Sequence, residues 1–116
     1  MPKIKVIIPA YNEQDSIATV IQDIPSIVDE IIVVSNNSTD KTEENAVNAG
    51  ATVLKENRKG YGFACLKGMD YIASTTFSDQ TQKPDIIVFL VAHKEFLGLK
   101  FQKEKIIMDF SGINKK

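Results

Sequence analysis

The fold of this 116-residue chain is decided by the stretch Pro84-Asp85-Ile86-Ile87-Val88-Phe89-Leu90-Val91-Ala92-His93. A Pro-Asp start signal precedes an unbroken apolar run that is rich in β-branched and aromatic residues. Such a run predicts a parallel strand that helices cover on both faces. Because ligands in open α/β sheets bind just beyond the carboxyl ends of the strands, we expect any site of this chain near Val91, Ala92 and His93.

The segments on either side of this strand alternate between β-branched runs and helical patterns. Strands are predicted at 3–8, 31–34, 52–54 and 105–110, and helices at 17–24, 40–50, 61–72 and 94–98. The polar stretch 74–83 predicts an exposed loop. This alternation predicts a single α/β domain over residues 1–116, in three layers, with a doubly wound, mostly parallel five-stranded sheet of Rossmann-like order 3-2-1-4-5.

The composition excludes several classes of partner and of compartment. Fourteen Lys and Arg against fifteen Asp and Glu leave a net charge of -1, which argues against nucleic acid or an anionic membrane as a partner. The single cysteine, Cys65, cannot form an internal disulfide. It lies on an apolar stripe of the predicted third helix, formed by Tyr61, Cys65, Met69 and Ile72, where packing is its expected role. We expect a soluble cytoplasmic protein, and nothing in the sequence specifies an oligomeric state.

Three polar loops follow the first three predicted strands, at 9–13, 35–40 and 57–62. In a 3-2-1-4 sheet these loops meet at the topological switch point. The strands and loops that form this set have the sequences Val6-Ile7-Ile8-Pro9-Ala10-Tyr11-Asn12-Glu13, Ile31-Ile32-Val33-Val34 with Ser38-Thr39-Asp40-Lys41-Thr42, and Asn57-Arg58-Lys59-Gly60-Tyr61-Gly62. As a set it resembles the nucleotide-binding half of family 2 glycosyltransferases of the GT-A fold, over about residues 3–90.

The resemblance implies a site for UDP or a UDP-sugar built from eight residues: Pro9, Ala10, Tyr11, Glu13, Asn36, Lys59, Gly60 and Gly62. It places the first loop beside the nucleoside, and Lys59 with the glycine amides beside the diphosphate. The family's base-binding carboxylate aligns with the pair Ser35-Asn36. Asn36 keeps an acceptor oxygen but not the charge, so its bond to the base should be about half as strong.

Each of these residues also has a purely structural interpretation. Pro9 can end the first strand, Asn12 can cap the following helix, and Lys59 can be a solvated surface charge.

The family's Asp-x-Asp metal motif would follow the fourth strand, where this chain has Val91-Ala92-His93. We therefore expect no metal, no other cofactor and no catalytic residue. His93 and Asp109 stand at the carboxyl ends of predicted strands, where a general base would be useful, but no partner acid or nucleophile is visible near His93, and a structural or solvated role is the expected one. The predicted function is weak binding of a UDP-type nucleotide by a truncated transferase-like domain without transfer activity of its own. The alternatives are a structural or interaction domain, and a partial transferase completed by another chain.

The tail, about residues 85–116, is similar to the C-terminal end of UDP-N-acetylmannosamine dehydrogenases. This resemblance implies that a helix and a strand complete the sheet, and that two families are fused inside the strand at 85–90. It transfers no catalytic role.

Overall fold

The structure, a computed structural model, describes residues 2–91 and the backbone of residues 105–109. The elements in chain order are β1 (Ile4–Ala10), α1 (Ile17–Gln22), β2 (Glu30–Ser35), α2 (Thr42–Asn48), β3 (Thr52–Lys55), α3 (Tyr61–Ser78), a 3₁₀ turn (Gln80–Gln82), β4 (Ile86–Leu90) and β5 (Lys105–Asp109). The predicted helix at 94–98 and the candidate His93 lie outside the described residues, and the side chain of Asp109 does too. No helix in the described part of the chain is long and apolar enough to cross a membrane.

Four parallel strands form the sheet in the order β3-β2-β1-β4. The predicted α/β class and this parallel order are confirmed. The backbone of β5 pairs with the free side of β4 in the antiparallel direction, with Leu90 opposite Lys105. Continued βα alternation would have given a parallel strand there, so the direction of β5 is a feature that the sequence pattern did not predict.

Side chains of successive sheet residues point to opposite faces, and each face carries its own core. Val6 and Ile8 of β1 pack with Ile17 of α1 and Ala46 of α2. Ile7, between them in β1, packs on the other face with residues of α3 such as Ala64 and Ile72. Helices therefore cover both faces, which explains why β1 and β2 are apolar without alternation.

The helix α3 approaches the sheet at a glycine. A Cβ atom at Gly68 would lie 2.8 Å from the Cγ2 of Ile7, closer than van der Waals contact. The buried side of α3 is made of Ala64, Gly68 and Ile72, whereas the sequence predicted a stripe through Tyr61, Cys65, Met69 and Ile72. Small residues on the buried side let the helix backbone sit close to β1.

Two local predictions about the first loop are wrong. Pro9 does not end the first strand, because β1 continues to Ala10 and Pro9 pairs with Val34. Pro9 lies beyond the four residues of β1 that pair with β4, so its missing N–H is tolerated there. Asn12 does not cap α1, whose N-cap is Ser16.

The stretch 74–83 is also not the predicted loop. The helix α3 continues to Ser78, and the 3₁₀ turn follows it. Thr75 Oγ1 donates to the carbonyl of Ile72 at 3.0 Å, and Ser78 Oγ to that of Ser74 at 2.9 Å. The hydroxyl groups bond back to the helix, which makes a polar sequence compatible with it.

A buried charge joins the amino ends of β1 and β2. Lys5 is 1% exposed, and its Nζ lies 3.1 Å from Glu30 Oε1, while the Glu30 side chain is 22% exposed. The hydroxyl groups of Tyr71 and Thr52 donate to Glu30 Oε2 at 2.6 and 3.0 Å. Burial raises the pKa of Glu30, but the hydrogen bonds from Tyr71, Lys5 and Thr52 outweigh it and leave that pKa below its usual value.

We expect Gly68→Ala to destabilise the fold by about 1–2 kcal/mol, because overpacking against Ile7 exceeds the gain in helix propensity. Gly62→Ala in the first turn of α3 is the matched control, since nothing lies within 4 Å of its added Cβ. This control should be neutral or stabilising by up to about 1 kcal/mol. Urea denaturation of both variants measures the difference, and equal midpoints would contradict the close approach at Gly68.

Tyr71→Phe should cost about 1–2 kcal/mol at pH 7, because it removes a hydrogen bond to a charged group. A carboxyl whose pKa is lowered by folding stabilises the native state above its unfolded pKa and loses this effect as the pH falls through its folded pKa. The difference between wild type and variant should therefore be largest at neutral pH and shrink below about pH 4. Urea midpoints between pH 3 and 7 test this, and a pH-independent difference would refute it.

Candidate functional site

The loops after β1, β2 and β3 enclose a cavity of about 270 Å³ at the carboxyl edge of the sheet. It is lined by Tyr11, Asn36, Asn37 and Lys59. Tyr11 is 51% exposed, so a large part of this residue is accessible. An aromatic ring, two amides and one ammonium group therefore converge from three loops that are separate in sequence.

The first and second loops are joined through Asn12, whose backbone is left-handed with a φ of 50°. Its N–H donates to Ser38 Oγ at 3.0 Å, and its Oδ1 accepts from the Thr39 N–H at 2.8 Å. Asparagine adopts this φ more readily than most residues. The role of Asn12 is thus to bind the neighbouring loop and not to cap the helix.

A second link between these loops is buried. The Glu13 N–H donates to Thr42 Oγ1 at 2.8 Å, and the Thr42 hydroxyl donates in turn to Asp40 Oδ1. Asp40 also accepts from the Thr42 and Gln14 N–H groups at 2.9 and 3.3 Å. Partial burial raises the pKa of Asp40, but the bonds from Thr42 and Gln14 dominate and lower it.

The second and third loops are joined through Asn36, which is 5% exposed. Its Nδ2 donates to the carbonyls of Glu56 and Arg58 at 3.0 and 2.6 Å, and its Oδ1 accepts from the Gly60 N–H at 2.9 Å. The neighbouring Asn37, with a φ of 65°, donates from Nδ2 to the Asn57 carbonyl at 2.9 Å. The third loop is therefore attached to the second along most of its length.

Within the third loop, two charges neutralise each other. Arg58 Nε and Nη2 donate to the two carboxylate oxygens of Glu56, each at 2.9 Å. These bonds, with one from the Arg58 N–H, lower the pKa of Glu56 to about 2. The Arg58 guanidinium also lies 4.5 Å from the ring centre of Phe63. Arg58 is thus held by its own loop and by α3, and Lys59 is the basic group of this loop that lines the cavity.

The structure brings together only part of the predicted site. Tyr11, Asn36 and Lys59 line the cavity. Pro9 and Ala10 are fully buried in β1, and Glu13 is buried behind the loop. Burial and the charge of Glu13 raise the pKa of Tyr61 at the start of α3.

The two glycines of the predicted site occupy the start of α3. Gly60 is its N-cap with a φ of 117°, and Gly62 lies in its first turn. The positive φ of Gly60 is one that other residues rarely adopt.

Sequence reasoning missed Asn37 as a lining residue. The signal in the sequence was that residues 35–38 are typical of a turn. Asparagine in such a turn tolerates a positive φ, which is the conformation that Asn37 adopts. Ser35, the other half of the aligned pair, is 1% exposed, and its Oγ has no hydrogen-bond partner within the described residues. It is not among the residues that line the cavity.

A larger cavity of about 440 Å³ lies at the opposite end of the sheet and is lined by Lys3, Lys5, Asp29, Glu30, Tyr71, Thr75 and Gln82. Several of its polar groups bond to each other or to the backbone. Glu30 holds Lys5 and Tyr71, and Asp29 Oδ2 accepts from the Ile4 N–H at 2.7 Å. This cavity therefore offers few unused groups to a ligand.

Comparison with known proteins identifies the family. The model of glycosyl transferase family 2 matches residues 5–102, which is most of the chain. This chain belongs to glycosyl transferase family 2. The match includes the three loops that form the carboxyl-edge cavity. The similarity of the tail to dehydrogenases stays a prediction, since most of that segment lies outside the described residues.

Two curated relatives of this family 2 chain illustrate the similarity. A low-salt glycan biosynthesis hexosyltransferase, Agl6, of Haloferax volcanii is 35% identical over 82 residues, which are 62% of this chain and 20% of that protein. Protein RfbJ of Shigella flexneri is 51% identical over 61 residues, 51% of this chain and 47% of that protein. The chain thus spans less than half the length of these relatives.

Among solved structures, glucosyl-3-phosphoglycerate synthase of Mycobacterium tuberculosis, in complex with Mn²⁺, UDP and glucosyl-3-phosphoglycerate, has a TM-score of 0.62 and 32% identity. The match covers 78% of this chain and 33% of the synthase. The GT-A-like α/β architecture of the family 2 chain is therefore shared with a structure that contains UDP.

The expectation that no metal cofactor is involved needs correction. The synthase is solved with Mn²⁺ and UDP, and also with Mg²⁺ and UDP, which indicates a divalent metal cofactor in the family. Between residues 2 and 91, no group of three or more His, Cys, Asp or Glu side chains could hold a metal ion. Val91, directly after β4, has no ligating atom in its side chain. The described residues do not by themselves fit the metal.

Thr42→Val should destabilise the fold by about 1–3 kcal/mol, because the buried Glu13 N–H loses its acceptor. Thr81→Val is the matched control, since the Thr81 hydroxyl also donates to a carboxylate, that of Asp79 at 2.6 Å, but in an exposed turn. We expect the control to change stability by less than about 0.5 kcal/mol. Urea denaturation measures both, and equal losses would contradict the importance of the buried link.

Proposed function

We propose that this chain binds the nucleotide of a sugar donor, UDP or a UDP-sugar, in the carboxyl-edge cavity. The observation that carries the proposal is the convergence of Tyr11, Asn37 and Lys59 on one cavity. Two findings support it: the family of the chain, and the presence of UDP in the solved relatives. Ligand sites at this edge are also the general rule for sheets of this kind.

The chemistry of the lining matches the parts of such a nucleotide. The exposed ring of Tyr11 offers an apolar face on which a base can pack. Lys59 supplies the positive charge that a diphosphate requires, and the paired Arg58 and Glu56 add no net charge beside it. The 18-residue helix α3 begins directly after Gly60, so its first amides are available to phosphate oxygens.

We further propose that the site includes the remaining predicted residues through their backbone. Pro9 and Ala10 form the end of β1, and Glu13 supports the first loop from behind. Their burial supports a role in shaping the site in preference to side-chain contact with the ligand. Gly60 and Gly62 leave the approach to the α3 amides open, because neither has a side chain.

Transfer of the sugar is not part of the function that we propose for this chain alone. The proposal is that it binds weakly and needs groups from outside residues 1–116 for transfer. The second candidate is a partial transferase whose remaining groups come from outside residues 1–116, for example from another chain. The match of this chain to only part of each relative supports it. Incubation of the chain with UDP-glucose and Mn²⁺ should release no UDP above the protein-free rate, and turnover by the chain alone would refute this part.

A cytoplasmic location belongs to the same proposal, and the single cysteine supports it. We also propose that a dehydrogenase-like tail is fused to the transferase-like part inside the strand at 85–90. Mass spectrometry of the chain isolated from cell fractions would decide the location.

Titration calorimetry with UDP in the presence of Mn²⁺ should detect binding by the wild-type chain at millimolar nucleotide. Lys59→Ala should weaken it roughly two- to fivefold, because an exposed charge pair contributes up to about 1 kcal/mol. Lys83→Ala removes another lysine charge beyond the 3₁₀ turn, far from the cavity in the fold, and should leave the affinity unchanged.

Two results would refute the proposal. One is the absence of any heat with wild-type protein at millimolar UDP. The other is an equal effect of the two lysine substitutions, which would mean that only the net charge of the chain matters.

A further inference from the structure

We infer that Asn36 is a positioning residue, which holds the loop 56–60 in place and so sets Lys59 at the cavity, and that it does not read the base of the nucleotide. The inference rests on the proposed function for its ligand-binding part. It departs from the expectation, drawn from the aligned carboxylate of the family, that the Asn36 oxygen accepts a hydrogen bond from the base.

The hydrogen-bond capacity of Asn36 is almost fully used by the protein. A carboxamide has two N–H donors and one acceptor oxygen. Both donors are taken by the carbonyls of Glu56 and Arg58, and the oxygen accepts from the Gly60 N–H. Two carbonyls on one side and an N–H on the other allow only one orientation of the amide.

These bonds fix the backbone on both sides of Lys59. The preceding residue, Arg58, is held through its carbonyl, and the following residue, Gly60, through its N–H. The position of the Lys59 backbone follows from those of its two neighbours. The Lys59 ammonium therefore reaches the cavity because a buried side chain of another loop holds the backbone beneath it.

A carboxylate at position 36 would not perform this role. It could accept from the Gly60 N–H only while its second oxygen faced the carbonyls of Glu56 and Arg58 with no proton between them. Three acceptors would then meet in a buried place, which costs free energy. Relief of this repulsion would move the loop away from position 36 and expose the Gly60 N–H.

The two possible roles of Asn36 thus predict opposite effects of the substitution Asn36→Asp. If Asn36 accepts a hydrogen bond from the base, the variant should bind UDP more tightly. If Asn36 holds the loop 56–60, the variant should bind UDP more weakly.

The test compares Asn36→Asp with Asn37→Asp in the full chain. Both variants add one negative charge at adjacent positions that line the cavity. Asn37→Asp also loses one exposed bond to the Asn57 carbonyl, so the difference between the variants isolates the two bonds from Asn36 to the carbonyls of Glu56 and Arg58. Amide hydrogen exchange at Gly60 and the flanking residues reports the loop, and calorimetry with UDP and Mn²⁺ reports binding. We expect exchange at Gly60 to accelerate in Asn36→Asp only, by about tenfold for each 1.4 kcal/mol of lost protection.

UDP binding should be about tenfold weaker in Asn36→Asp than in Asn37→Asp, which corresponds to the loss of hydrogen bonds to buried carbonyls. Acidification should restore part of this loss, because the carboxyl group introduced at position 36 regains one O–H donor when it is protonated. The ratio of the two affinities between pH 5 and 7 measures this recovery. A general loss of stability would not be reversed by acid in this way.

Each contrary result overturns a stated part of the inference. Unchanged exchange at Gly60 in Asn36→Asp would show that Asn36 does not hold the loop. Faster exchange with unchanged or tighter UDP binding would show that the loop does not position Lys59, or that Asn36 reads the base. If the wild-type chain binds no UDP, the proposed function fails, and the exchange data alone decide whether Asn36 holds the loop.

Discussion

The contact between Gly68 and Ile7 is the constraint on which the candidate site depends. Because Gly68 has no side chain and its backbone packs directly on the side chain of Ile7, the helix axis lies close to the sheet and its first turn comes to the carboxyl edge. The loop that precedes α3 must then lie against the ends of β1 and β2. A helix held further from the sheet would carry Lys59 and Gly60 away from the loop that contains Asn36.

The two ends of the sheet are stabilised by different chemistry. At the amino end, the charges of Lys5 and Glu30 meet under α3, and the hydroxyl groups of Tyr71 and Thr52 complete the bonds to the carboxylate. Removing one partner of such a pair leaves the other charge poorly solvated. At the carboxyl edge, neutral amides and hydroxyl groups make most of the links, so positive charge such as that of Lys59 stays available to a ligand.

The loops at the carboxyl edge hold together although none of them contains regular secondary structure. Asn12, Asn36 and Thr42 each bond to the backbone of a different loop. Short polar side chains suit this role because they lose little entropy when ordered and can satisfy buried backbone groups. The cavity is therefore preformed by side chain to backbone bonds, and a nucleotide would not have to order the loops on binding.

The sequence by itself determined the α/β class, the parallel order 3-2-1-4 and the presence of three loops at one edge, because hydrophobic periodicity and βα alternation are local and robust signals. It also indicated Tyr11 and Lys59. Only the tertiary structure decided the roles of Pro9, Asn12 and Asn36. Their bonding partners lie 20 or more residues away along the chain, and a local pattern cannot specify which distant backbone group a short polar side chain will meet.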